Sequence, residues 1–218
     1  MKKVLAIITA LMLGVGMFSP ALAATKEQQL QEILQLLDSE LANWESTQTN
    51  NSEELADAVT TIYNLGITKY STPSTYMATN AIRRDEAATM FYRLANKLDL
   101  LGSTSSNSCT FSDISQAHSD LVDIVVNSCK YGLFKGDNGK FLPTSSITNA
   151  QALTVLTRML DGTKSENTGG HWALNYYNYM KGEWYTTSLA ANSSSNLDRT
   201  ITRGDIAIML ARIYEENK

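Results

Sequence analysis

The feature that most constrains the fold of this 218-residue chain is a segment that occurs three times. The copies align without a gap at 82–94 (IRRDEAATMFYRL), 147–159 (ITNAQALTVLTRM) and 201–213 (ITRGDIAIMLARI). Each copy opens with isoleucine, and apolar residues then recur at helical spacing. The copies begin 65 and 54 residues apart, which is typical of a small helical unit with its loops. Such a unit cannot bury its own apolar face, so the pattern predicts repeats that stack on one another.

The start of each copy carries the signals of a helix N-terminus. Thr148 and Thr202 occupy the capping position in the second and third copies, and an amide or acid follows three residues later. In the first copy Arg83 takes the capping position, while Glu86 keeps the position three residues on. Beyond the caps, apolar residues share one face, which we expect to be core. In matching positions this face holds Phe91, Leu156 and Leu210, then Leu94, Met159 and Ile213.

Two further positions of the copies attract attention. The first, two residues after the isoleucine, projects from the opening helical turn near the preceding loop. Its occupants are Arg84, Asn149 and Arg203. The second, near the helix end, is arginine in every copy, and we interpret it as a tie between the helix and a neighbouring loop. Its occupants are Arg93, Arg158 and Arg212.

Polar runs divide the chain into blocks. The linkers are 102–108 (GSTSSNS) and 162–170 (GTKSENTGG), and a third polar run covers 192–196. The first block is predicted to open with a helix over 52–65 that stops at Gly66. The predicted repeats cover residues 53–101, 109–162 and 170–218.

Two segments precede the repeats. Residues 1–23 match a signal peptide, with Lys2 and Lys3, an apolar stretch and an Ala-Leu-Ala cleavage site. Residues 24–52 are predicted to form an amphipathic helix. This helix either packs on the rest of the protein or acts as a short coiled-coil handle, so that residues 25–48 would support self-association or bind a partner helix. Its apolar face holds Leu30, Ile33, Leu34, Leu37, Leu41 and Trp44.

Charge and motif content exclude several classes of function. Removing Lys2 and Lys3 with the signal peptide lowers the formal net charge from −4 to −6, and the chain has no basic run. Nucleic-acid binding is therefore not expected. After signal removal no segment is long enough to span a membrane. Sequence motifs of catalytic, nucleotide-binding and metal-binding sites are absent, so we expect no enzyme activity, no cofactor and no metal site.

The chain has two cysteines, Cys109 and Cys129, and both follow the predicted signal peptide. Thiols of exported proteins usually oxidise, and a C-x-x-C motif is absent. We therefore predict a structural disulfide between them instead of a metal or redox pair. In the chain-entropy view, closing a loop of this length stabilises the fold by about 3 kcal/mol.

Several motifs resemble those of the S-layer homology family. In the second block, 111–113 (FSD) resembles its opening F-x-D, and 132–143 (GLFKGDNGKFLP) resembles its central glycine-rich loop. Residues 147–148 (IT) begin the family's I-T-R-A-E motif, and 171–173 (HWA) resemble the start of its first helix. The resemblance extends over residues 53–216, which is nearly all of the chain after the signal peptide.

The resemblance implies a mainly α fold of three helix-loop-helix repeats in a pseudo-threefold bundle, with the N-terminal helix as an addition. It also implies grooves that bind secondary cell-wall polysaccharide, which often carries a pyruvate ketal. The planar guanidinium of an arginine can bind such a carboxylate through two hydrogen bonds, and a neighbouring helix N-terminus also favours an anion. Trp172 is interpreted either as a core residue or as a platform for a sugar ring. The ligand-binding residues implied are Arg84, Arg203, Glu86, Lys135, Gly136 and Trp172.

The sequence also departs from the family pattern. The second block has Asn149 in place of the motif arginine, and 71–80 and 186–199 replace the glycine-rich loop in the other two blocks. The retained Arg84 and Arg203 favour an exported protein of the cell wall or cell surface that binds wall polysaccharide. The lost arginine favours an alternative, an envelope or coat protein that uses degenerate repeats for protein–protein assembly. A third hypothesis, an enzyme, has no motif to support it.

Overall fold

The structure, a computed structural model, describes residues 30–39 except 32 and 36, and residues 51–104, 109–186 and 194–218. The predicted signal peptide, residues 1–23, lies outside these ranges. The chain divides into two compact units, Met1–Asn51 and Ser52–Lys218. The first unit has one described element, helix α1, which includes every described position of 30–39. Two leucines of its predicted apolar face, Leu30 and Leu34, are exposed.

The predicted mainly α class is confirmed. Among the described residues regular structure is helical, and extended segments pair only as isolated bridges. The predicted stop at Gly66 is also confirmed, because the helix over 51–64 ends just before this residue, which has a φ of +71°. The helices after α1 are α2 (51–64), α3 (Pro73–Tyr76), α4 (Arg84–Lys97), α5 (Val122–Lys130), α6 (Asn149–Asp161), α7 (Leu174–Gly182), α8 (Ser194–Leu197) and α9 (Arg203–Asn217).

The three repeated segments form α4, α6 and α9, and their predicted caps are present. The Thr148 hydroxyl accepts a hydrogen bond from the Gln151 backbone N–H at 3.3 Å. The Thr202 hydroxyl likewise accepts from the Asp205 N–H at 3.1 Å. These bonds satisfy N–H groups that a helix start otherwise leaves unpaired. In α4, where arginine replaces the threonine, the Glu86 carboxylate accepts from the backbone N–H of Arg83 at 3.3 Å.

The opening isoleucines of the three segments meet at the centre of the second unit. Ile82, Ile147 and Ile201 are each at most 1% exposed. The Ile82 N–H donates to the Ile201 carbonyl at 3.2 Å, and the Ile147 N–H donates to the Ile82 carbonyl at 3.3 Å. The Ile201 N–H donates to the Ile147 carbonyl at 3.1 Å, which closes a cycle of three bonds. We call this arrangement the isoleucine cycle. It fixes the starts of α4, α6 and α9 beside one another.

The core surrounds the isoleucine cycle. Helix α4 packs on α5, α6 and α9, and α6 packs on α7 and α8. The apolar face predicted for the three copies is buried, since Phe91, Leu156 and Leu210 are fully buried. Removing such a side chain from a packed core typically costs about 2–5 kcal/mol. The core therefore sets the positions of the surface loops that precede each repeated helix.

Candidate functional site

A groove of about 280 Å³ runs along one side of α4. Its walls are the turn at 67–70, one side of α4 and the segment at 118–121, and Arg203 from the start of α9 also lines it. We call it the α4 groove. Its polar and charged lining residues are Thr68, Lys69, Tyr70, Glu86, Thr89, Arg93, His118, Asp120 and Arg203.

The α4 groove brings together two of the predicted ligand-binding residues, Arg203 and Glu86. The Arg203 Nη1 lies 2.7 Å from Glu86 Oε1, and its Nε donates to the Tyr76 carbonyl at 2.7 Å. The guanidinium also lies over the Tyr76 ring, 4.7 Å from its centroid. Arg203 is only 5% exposed. Its charge is therefore balanced by a carboxylate, and its contribution to the groove is to hold the Glu86 carboxylate in place.

Two further cations stand nearer the mouth of the groove. Arg93 is half-buried, and its Nη1 donates to the Ile67 carbonyl at 2.9 Å, which leaves a guanidinium on the wall at a fixed place. This tie of a helix to a loop was predicted from the sequence. Lys69 is exposed, with its ammonium 5.5 Å from the centroid of the Tyr70 ring. A guanidinium, an ammonium and an aromatic face together suit a ligand that carries both a carboxylate and a sugar ring.

A buried carboxylate supports the groove from beneath. Asp85 is fully buried and lies 2.8 Å from the Arg83 guanidinium. The same carboxylate accepts hydrogen bonds from the backbone N–H of His118 at 3.2 Å and from that of Glu86 at 2.9 Å. Asp85 thus ties the 118–121 wall to α4. Sequence reasoning missed this residue because its partner at 118 is far along the chain.

Arg84, Lys135 and Gly136 lie together at a different place, the glycine-rich loop of 132–143. The Arg84 Nη2 donates to the Lys135 carbonyl at 2.7 Å. Its guanidinium lies 5.1 Å from the ring centroids of both Phe134 and Phe141. Burial lowers the pKa of the Arg84 guanidinium below its ordinary value. Lys135 and Gly136 are exposed at the surface of this loop.

The predicted disulfide between Cys109 and Cys129 is present. It anchors residues 109–113 to α5, and these residues lie against the glycine-rich loop. The Asp113 carboxylate accepts from the N–H groups of Phe141 and Leu142, both at 2.8 Å. Burial raises the pKa of Asp113, but these hydrogen bonds to the charged form outweigh it, so the pKa is lowered. The disulfide therefore helps to hold the glycine-rich loop, which the Arg84 side chain contacts.

Trp172 lies outside the α4 groove. It is 37% exposed, and its ring lies 5.6 Å from the His171 ring and 6.4 Å from the Tyr176 ring. The interpretation as a core residue is therefore wrong, because more than a third of the side chain reaches solvent. The interpretation as a platform for a sugar ring stays a prediction.

A second, larger cleft of about 590 Å³ was not predicted from the sequence. It lies between α2, the turn at 183–185 and α9. Among the residues that the structure describes, its one basic lining residue is Arg212, which binds Glu54 at 2.6 Å and donates to the carbonyls of Trp184 and Thr186. A guanidinium occupied in this way is a poor partner for an anionic ligand. The acidic residues of this α2–α9 cleft are Glu54, Asp57, Glu183, Glu215 and Glu216.

Trp184, at the edge of the α2–α9 cleft, is 83% exposed and has a φ of +60°. Gly66 and Gly132 occupy the corresponding helix ends, with φ of +71° and +74°. In each case the next residue donates its N–H to a carbonyl five residues earlier, as Tyr185 does to Met180 at 2.9 Å. An alignment on the helix-end glycines would have identified Trp184 as an unusual occupant of this position.

Within the described ranges, no helix combines the length and apolar character needed to cross a membrane. Over the same residues, no group of three or more His, Cys, Asp or Glu side chains is arranged to hold a metal ion.

Comparison with known proteins gives one informative similarity. No protein-family model matches the chain. The chain is 30% identical over 172 residues to a protein from Thermoanaerobacter kivui named "Cell surface protein". The alignment covers 78% of this chain and 21% of that relative. This chain is thus similar to a segment, about one fifth in length, of a cell surface protein.

Proposed function

We propose that this chain is a non-catalytic, exported protein of the cell wall or cell surface that binds wall polysaccharide through S-layer-homology-type repeats. In this proposal residues 53–101, 109–162 and 170–218 are three repeats in a pseudo-threefold bundle. The name of the Thermoanaerobacter kivui relative supports a surface location. The isoleucine cycle supports the threefold relation, because each repeated segment makes the same pair of backbone contacts.

The observation that carries the binding proposal is the composition of the α4 groove. It combines two accessible cations, Lys69 and Arg93, with the carboxylates of Glu86 and Asp120. Carboxylates accept hydrogen bonds from sugar hydroxyls, and the cations attract an acidic group such as a pyruvate ketal. A groove that is open along α4 can accept a chain, which a closed cavity could not.

Each lining residue has a distinct role in this proposal. Arg93 and Lys69 at the mouth contact the acidic group of the glycan. Glu86 and Asp120 accept hydrogen bonds from hydroxyls, and the Tyr70 ring covers an apolar sugar face. Arg203 acts beneath them by holding Glu86 in place at 2.7 Å.

The experiment is a pull-down of the protein that remains after removal of the predicted signal peptide, residues 24–218, on purified wall sacculi from the host. A Lys69→Gln, Arg93→Gln variant removes the two accessible cations. Lys97→Gln is the matched control, because Lys97 is exposed on the same helix but does not line the groove. Thermal unfolding checks that each variant folds.

Sacculi with and without the polysaccharide separate the outcomes. We expect wild type and Lys97→Gln to bind only sacculi that retain the polysaccharide, and the double variant to lose about 90% or more of its binding, since two charge-assisted contacts of about 1.5 kcal/mol each are removed. Failure of folded wild type to bind would overturn the proposal. Equal binding by the double variant would place the site elsewhere.

The second candidate function is assembly of an envelope or coat structure, and one observation favours it. On α1 the side chains of Leu30 and Leu34 are 44% and 45% exposed on the predicted apolar face. An exposed apolar helix face is typical of a surface that associates with another helix. Sedimentation of the full chain and of a Leu30→Ser, Leu34→Ser variant tests this candidate, which requires wild type to be larger than a monomer and the variant to dissociate.

A further inference from the structure

The residues two positions after each opening isoleucine make the same kind of contact. Each is the first residue of its helix, and each side chain donates to a backbone carbonyl of another block, in the segment that precedes the next repeated helix. Lys135 lies in a loop, whereas Tyr76 and Asn196 belong to the short helices α3 and α8. The three distances agree to within 0.1 Å. The bonds run from Arg84 Nη2 to the Lys135 carbonyl (2.7 Å), from Asn149 Nδ2 to the Asn196 carbonyl (2.6 Å), and from Arg203 Nε to the Tyr76 carbonyl (2.7 Å).

The backbone N–H groups of these residues reach the same three segments. Each donates to the carbonyl two residues before the next isoleucine in the cycle. The bonds run from Arg84 to Ser145 (2.8 Å), from Asn149 to Arg199 (2.9 Å) and from Arg203 to Asn80 (2.8 Å). The first block therefore holds the segment before α6, the second holds the segment before α9, and the third holds the segment before α4.

Neither arginine offers an open guanidinium fork to a ligand. Arg84 lies against Phe134 and Phe141, which are each 1% exposed, and its Nε is buried without a hydrogen-bond partner among the described residues. Arg203 is 5% exposed and bound to Glu86 and Tyr76. Both side chains are thus committed to the protein itself.

Asn149 shows what the position requires. It is 5% exposed and uncharged, and yet it makes the equivalent bond through its amide. A side chain with no charge would be useless for capturing a carboxylate by charge, but it is sufficient for holding a carbonyl. The replacement of arginine by asparagine in the second block therefore preserves the contact while removing the charge.

We infer that Arg84, Asn149 and Arg203 are positioning residues, each of which fastens the segment that precedes the repeated helix of the next block through a side-chain hydrogen-bond donor. The position needs a donor and not a positive charge. This role goes beyond the proposed function and does not depend on it, because the contacts are complete without a ligand. It also removes Arg84 from the set of residues expected to touch polysaccharide.

The test is amide hydrogen exchange on the full chain, without any polysaccharide, for wild type, Arg84→Met and Arg84→Lys. Methionine keeps most of the apolar stem but removes the donor, whereas lysine restores a donor at similar length. We expect Arg84→Met to speed exchange in loop 133–142 by about tenfold, the effect of one lost hydrogen bond of about 1.4 kcal/mol. Exchange in the first block's own loop, residues 66–80, should stay at the wild-type rate, and Arg84→Lys should restore most of the protection.

A second variant keeps the inference testable if Arg84→Met does not fold. Asn149→Leu is close in size, removes the donor, and changes no charge. It should speed exchange at the amides of 197–201 and leave 133–142 unaffected. Exchange that rises equally in all three loops, or that does not change in either variant, would overturn the inference. So would a change confined to the loop of the variant's own block.

Discussion

The contact between Gly136 and its neighbours allows a quantitative prediction. A Cβ built at Gly136 would lie 2.4 Å from the Phe111 ring and 2.7 Å from the carbonyl oxygen of Lys140. Real Cβ atoms do not approach so closely, and a backbone carbonyl cannot rotate away as a flexible side chain can. Overpacking of this kind costs about 1–3 kcal/mol. We therefore expect Gly136→Ala to lower the midpoint of thermal unfolding by about 2–12 °C for a unit of this size.

Two other glycines supply matched controls for this alanine substitution. At Gly102 no atom of the described residues lies within 4 Å of an added Cβ, so Gly102→Ala should stay within about 0.5 kcal/mol of wild type. An added Cβ at Gly139 likewise meets no described atom within 4 Å, but the φ there is +72°, so alanine should cost about 1–2 kcal/mol through the backbone alone. The three variants thus separate crowding from conformational strain.

Thermal unfolding followed by circular dichroism at 222 nm measures all three variants. A double-mutant cycle with Phe111→Ala adds a direct check of the cause. In that background Gly136→Ala should cost less, because the 2.4 Å contact is gone, but it should still cost something because the Lys140 carbonyl remains. If Gly136→Ala changed the unfolding midpoint as little as Gly102→Ala does, the packing of Phe111 on this loop would be refuted.

Three further predictions concern the disulfide, a carboxylate and a strained residue. Replacing Cys109 and Cys129 by serine should lower the free energy of unfolding by about 3 kcal/mol, as measured by urea denaturation, and a reductant should then have no further effect. The folded-state pKa of Asp113 is below its ordinary value, so its contribution to stability is present above about pH 4 and is lost as the pH falls further. Asp113→Asn should therefore flatten the dependence of unfolding free energy on pH below about 4, and an unchanged acid limb would contradict the role of Asp113. Trp184→Gly should raise stability by up to about 1 kcal/mol by relieving a φ of +60°, and a clear loss in the urea midpoint would show that the exposed ring stabilises the fold.

Much of the fold follows from local pattern. Helix starts at Thr148 and Thr202, and the buried face that includes Phe91, Leu156 and Leu210, depend on residues a few positions apart, so the sequence alone predicts them. The disulfide was predictable as well, because the chain has two cysteines. For each of these features only a few local structures are possible, and the spacing of residue types along the chain is enough to choose among them.

The site was less predictable because its contacts are distant in sequence. Arg203 meets Glu86 across 117 positions and Arg84 meets Lys135 across 51 positions. Spacing within a motif identified both arginines as candidate ligand-binding residues. It could not show that both side chains form hydrogen bonds with distant parts of the protein. The α2–α9 cleft was missed for the same reason, because its walls come from the two ends of the second unit.

The isoleucine cycle also limits how such a protein can change during evolution. A linear stack of repeats has two ends, each of which needs a capping unit, and it can lengthen by adding one repeat. In the cycle each of Ile82, Ile147 and Ile201 donates once and accepts once, so there is no end at which to add. A fourth segment could enter only by opening a buried hydrogen bond at the centre of the core. Closure therefore fixes the number of blocks, whereas the loops around the rim make no hydrogen bond of the cycle and can change without opening it.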